Sequence, residues 1–74
     1  MNRQEQCLEA LRKNGPSSAI EVARYLYKQK YTKILERNIA HPRLNELIHN
    51  GRVKIVGVKW DTTTERNVNV YDIV

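Results

Sequence analysis

Cysteine occurs once in this chain of 74 residues, and histidine twice. A single Cys7 cannot close an internal disulfide, which fits a reducing compartment, and beside Leu8 and Leu11 at helical spacing it reads as a small, half-buried apolar residue. Cys7, His41 and His49 are the only soft metal ligands. With no cysteine pair and no His-x-x-x-His spacing, no metal site is expected. A Gly-rich phosphate loop and a nucleophile elbow are both missing, and the acids are scattered, so neither an enzyme nor a cofactor is expected. So short a chain also has little room for an enclosed pocket. No run of about eighteen apolar residues occurs, and "MNRQEQCLEALRKNG" holds no apolar stretch of signal-peptide length, so the expectation is a cytoplasmic protein with no membrane partner.

What is abundant is positive charge. Thirteen Lys and Arg face eight Asp and Glu, giving a net charge of +5 and a pI near 9.7. Such an excess favours a polyanionic partner, nucleic acid or an acidic protein surface. The length suits one domain over residues 1–74, whose thin core must draw on every element.

Residues 3–13 put Cys7, Leu8 and Leu11 on one face of a surface helix, which Asn14-Gly15-Pro16 ends. Ser18-Ala19-Ile20-Glu21 then has the spacing of a capping box, and Ile20, Ala23, Leu26 and Tyr27 continue it as a second helix over residues 18–27. Residues 28–38, "KQKYTKILERN", are rich in positive charge and read as a connection. Ala40, Leu44, Leu47 and Ile48 fall within about 100° of one another on a helical wheel, predicting a third helix with a buried face. Beyond Asn50-Gly51 the period changes: residues 52–60 and 66–74 read as strands joined by the polar "DTTTE" turn.

Pro42 fixes how the third helix can start. Started at Asn38, the helix holds Pro42 in or just past its first turn, where the missing amide costs little. Started at Pro42, with His41 as an imperfect cap, it has only about two turns. The longer form, residues 38–49, is preferred. A helix unbroken from Thr32 is excluded, because the proline ring would meet a carbonyl four residues back.

Three helices followed by a two-stranded antiparallel hairpin is the α+β order of a winged helix-turn-helix. Three stretches, "GPSSAIEVARYL", "RNIAHPRLNELIHNGRV" and "GVKWDTTTERNVNVYDI", resemble small winged helix-turn-helix DNA-binding proteins of phages, prophages and bacterial regulators. The resemblance covers residues 15–74. Two departures stand out: the connection before Arg37 is long for a helix-turn-helix turn, and Thr64-Glu65-Arg66 replaces the Thr-Gly-Arg frequent at the wing tip of such proteins. Glutamate disfavours the positive φ that glycine permits, and adds a negative charge.

The resemblance implies a regulator of transcription that reads the major groove of double-stranded DNA with its third helix and meets the backbone with its wing. Asn38 and Arg43 are then the leading base-reading residues, with His41 and Asn45 next, since asparagine pairs with adenine and arginine with guanine. Lys28, Lys30, Lys33 and Arg37 in the connection, and Lys54, Lys59 and Arg66 around the wing, would hold phosphates. Trp60 suits packing across the hairpin better than stacking on a base, and Tyr25, Tyr27 and Tyr31 suit core and rim packing. Glu46, on the presumed reading face, and Glu65 keep a second reading open: the same fold docking an acidic protein. The oligomeric state is left undetermined.

Overall fold

A computed structural model describes residues 1–74. The elements run α1 (Arg3–Asn14), β1 (Ser17–Ser18), α2 (Ala19–Lys28), α3 (His41–His49), β2 (Val53–Asp61) and β3 (Arg66–Ile73), with one 3-10 turn at Arg37–Ile39 ahead of α3. The class is α+β, with three helices against a three-stranded antiparallel sheet of order β1-β3-β2. No helix is long and apolar enough to cross a membrane.

The hairpin expected from the sequence is therefore one strand short of the sheet. Ser17 and Ser18 pair with Tyr71 and Val70 of β3. Two polar residues after a helix-ending Gly15-Pro16, the second of them the cap of the next helix, offer no alternating pattern from which a strand could be read. Tertiary pairing alone makes them one.

The three helices close on one core. Leu8 and Leu11 of α1, Val22 and Leu26 of α2, and Leu44 and Leu47 of α3 are all buried, with Val53 and Tyr71 closing it from the sheet. Cys7 is completely enclosed rather than half-buried, and burial pushes its thiol up to about 11, so it behaves as a filler of space rather than a nucleophile. Glu9 of α1 ties the layers together: its carboxylate accepts from the Tyr25 hydroxyl at 2.8 Å and from the Tyr31 hydroxyl at 2.9 Å. Partial burial and this carboxylate push the Tyr25 phenol up to about 12, while the hydrogen bond to Glu9 raises Tyr31.

Pro42 occupies the second position of a short α3, not the interior of one begun at Asn38. Asn38 belongs instead to the separate 3-10 turn, and Ala40, with no side-chain cap, serves as the boundary. The reason is local. Amides in the first turn of a helix have no carbonyl four residues behind them, so proline there sacrifices nothing, whereas a start at Asn38 would have required the Pro42 amide to reach back. Ala40 takes the first regular bond, its carbonyl accepting from the Leu44 amide at 2.9 Å.

Both α2 and α3 stop by the same device. After α3, the Gly51 amide donates to the Ile48 carbonyl and the Arg52 amide to Leu47, with Gly51 at φ 73. After α2, the Lys30 amide donates to Tyr27 and the Tyr31 amide to Leu26, with Lys30 at φ 63. These paired bonds define the Schellman stop, whose left-handed position favours glycine. Lysine holds that position at the end of α2.

In the hairpin, a bulge at Val56 shifts the register between Ile55, opposite Tyr71, and Gly57, opposite Val70. A bulge bends and twists its strand. Trp60 consequently stands opposite Asn67, well out of the core and 58% exposed. We expect Leu47→Ala to lower the unfolding free energy by about 2–5 kcal/mol through transfer and cavity terms, and Val58→Ala to change it by less than about 0.5 kcal/mol. Urea unfolding of both variants checks this contrast.

Candidate nucleic-acid interface

The N-terminus of α2 is where the sheet, the hairpin and the segment before α3 meet. Ser18 supplies the join: its amide donates to Glu21 Oε1 at 2.8 Å while its hydroxyl accepts from the Glu21 amide at 3.4 Å, completing the capping box read from the sequence. The other carboxylate oxygen of Glu21 holds the Lys59 ammonium on β2. Burial opposes the charged form of Glu21, but bonds from Lys59 and Ser18 outweigh it and keep the carboxyl below its ordinary value. One glutamate thus caps a helix and fastens the hairpin to it.

Beyond Asp61 the chain turns through residues 62–65. Asp61 accepts from the Thr64 hydroxyl at 2.7 Å and from the Thr63 amide at 3.3 Å. The Thr64 bond is the main reason its carboxyl sits below the usual value, and the Arg24 charge adds to the effect. Glu65 follows at φ 53, so the left-handed conformation is kept although glutamate disfavours it. Arg66 then opens β3 opposite Asp61.

These pieces enclose a small groove of about 80 Å³ between α2 and the hairpin tip, lined among others by Ser18, Ile20, Arg37, Asp61, Thr63 and Arg66. A polar depression beside it adds Arg24 and Lys59. The only ion pairs in the chain are Arg43–Glu46 and Lys59–Glu21, so Arg24, Arg37 and Arg66 have no carboxylate within ion-pair reach. Arg37 and Arg66 thus line the groove at the N-terminus of α2 together with the Asp61 carboxylate, and Arg24 lines the depression beside it with Glu21 and Asp61. Arg24 was not singled out from the sequence, although it lies one turn beyond Glu21 and therefore shares its face.

The other residues singled out are distributed less evenly. On α3, Pro42, Asn45 and His49 are exposed, as is Asn38 on the preceding turn, whereas His41 and Arg43 are half-buried. Arg43 Nε lies 3.1 Å from Glu46 Oε1, which also accepts from Gln4 Nε2 of α1 at 2.9 Å. Glu46 therefore leans toward α1 with its charge matched, rather than standing free on the outward face. Burial lowers the His41 pKa and the nearby Arg37 lowers it further, so this imidazole is neutral at pH 7. Lys54 lies exposed on β2 opposite Asp72. Lys28, Lys30 and Lys33 gather at the far end of α2, away from the groove. No three His, Cys, Asp or Glu side chains stand together as metal ligands.

Two measurements test this geometry. Glu65→Gly should raise stability by about 0.5–1 kcal/mol by relieving the positive φ. Glu21→Gln keeps a side-chain acceptor for the cap but loses the ion pair, costing about 0.5 kcal/mol at neutral pH. Because the folded-state pKa of Glu21 is depressed, that difference should be fully present above the unfolded value, 4.5, and vanish as pH falls through the folded one. Thermal unfolding across pH 2–7 would show it.

Comparison with protein-family models, with curated proteins and with solved structures found no match to this chain. What it does has to be read from its own geometry.

Proposed function

We propose that this chain is a winged helix-turn-helix domain that binds double-stranded DNA as a small regulator of transcription. The element order α1-β1-α2-α3-β2-β3, with a long hairpin last, supports the fold reading. The observation that carries the function is the meeting of Arg37 and Arg66 at the N-terminus of α2, in a groove they share with Asp61 but where neither is ion-paired. Helix N-termini and unpaired arginines both favour phosphate, and here they face one place.

In this reading, Arg37, Arg66 and Arg24 grip the DNA backbone while α3 presents the exposed Asn45, flanked by Asn38, to base edges in the major groove. His41 and Arg43 stand at the margins of that face, Arg43 already paired with Glu46. Lys59 acts chiefly by fixing the hairpin through Glu21, and Lys54 lies farther along the wing. A second reading, the same fold used to dock a protein, is favoured by the open edge of β2, where Val58 and Trp60 are exposed.

Fluorescence anisotropy with labelled duplex DNA at several salt concentrations separates the two. DNA binding predicts a log affinity that falls linearly with log salt, each neutralised phosphate contributing about 0.9 to the slope. Arg37→Gln with Arg66→Gln should reduce that slope by about two and weaken all sequences alike. Asn45→Ala should instead narrow the gap between preferred and random duplex by about 1–3 kcal/mol. A protein that binds no duplex even at low salt is not a DNA-binding domain, and the docking reading then stands.

A further inference from the structure

The far end of α2 carries a second positive surface. Lys28, Lys30 and Lys33 line an open depression of about 580 Å³ together with Tyr27 and Thr32. None of these lysines has an ion-pair partner in the chain. Because α2 is ten residues long, this surface lies about 15 Å along the helix from the Arg37–Arg66 groove, at 1.5 Å per residue.

Tyr27, the one apolar side chain lining the depression, is 46% exposed, and Ile34 and Leu35, which follow Lys33 in the chain, are 51% and 43% exposed. An exposed aromatic side chain rimmed by lysines suits a protein-docking surface. The lysines sit on a helix end and a turn, not along a long amphipathic helix, which separates the surface from membrane-binding elements.

Lys30 adds an independent observation. It occupies the left-handed position of the stop after α2 at φ 63, where glycine would be free of strain. Its neighbour Tyr31 is anchored inward, the hydroxyl on Glu9 and the carbonyl accepting from Arg3 at 3.2 Å, so the turn is held on α1. Lys30 itself is exposed. Lysine in a position that favours glycine places its ammonium at an exposed point of the turn, at the cost of backbone strain.

We propose that this surface docks an acidic protein segment in which Asp or Glu residues are interleaved with apolar ones. The carboxylates meet Lys28, Lys30 and Lys33, and an apolar side chain rests on Tyr27. This docking is independent of the DNA reading, since it uses none of the groove residues.

The test titrates the full chain into a labelled synthetic peptide of interleaved Asp, Glu, Leu and Phe, with a Ser-for-acid peptide, phosphatidylserine vesicles and duplex DNA as the comparison arms. Lys30→Gly is the informative variant, because it relieves strain while deleting the charge. It should unfold at the same or higher urea concentration than wild type yet bind the acidic peptide about threefold more weakly, and adding Lys28→Gln and Lys33→Gln should make the loss about tenfold or more. Duplex affinity should fall less in this triple variant than in Arg37→Gln. Failure of the acidic peptide to bind at low salt, equal binding of the Ser peptide, or a larger loss toward DNA or vesicles than toward the peptide would each overturn the proposal.

Discussion

Ser18 is the residue on which three parts of the molecule depend. Its backbone pairs with Val70 in the sheet, its hydroxyl caps α2, and its amide is held by Glu21, whose second oxygen holds Lys59 on the hairpin. It is almost wholly buried, so the amide and hydroxyl would be left without water if these partners were lost. A small domain with a thin core cannot fix a long hairpin by hydrophobic contact alone, because most of β2 faces solvent. The capping box and its ion pair do so with polar groups, and they thereby set where Arg66 sits relative to Arg37.

Charge on this surface is sorted rather than simply abundant. Lys59 and Arg43 are each matched by a glutamate, and that leaves Arg24, Arg37 and Arg66 as the unpaired cations around the groove. Exposed pairs of this kind contribute little to stability, so their consequence is mainly geometric. They hold β2 against α2, and α1 against α3 through Gln4 and Glu46. A net charge of +5 read as a uniform property would have missed this division.

Two left-handed residues that are not glycine, Lys30 and Glu65, stand beside the two proposed surfaces. One closes α2 and the other closes the hairpin turn. In both places the backbone follows the conformation that glycine would adopt, and the side chain adds a charge at an exposed point. Glutamate at position 65 therefore holds a left-handed conformation while placing a negative charge in the hairpin turn.

The sequence by itself determined the helical faces and the stops. Leu8 and Leu11, Ala23 and Leu26, and Leu44 and Leu47 recur at a spacing of three, and Ser18-x-x-Glu21 and Gly51 mark a start and an end, because these signals act within one or two turns of chain. On α2 the face is rotated from the expected one: Val22 is buried, while Tyr27, expected on the face, is exposed. Pro42 left two starts open for α3, at Asn38 or at Pro42, and the helix takes neither: it begins at His41, one residue ahead of the proline, because Arg37–Ile39 closes into its own 3-10 turn. Only tertiary structure decided the rest. It made Ser17 and Ser18 a strand, turned Glu46 toward α1, brought Arg37 and Arg66 to one groove, and parted the lysines of the connection from that groove. Each of these depends on residues distant in the chain arriving at one place, and no local periodicity carries that information.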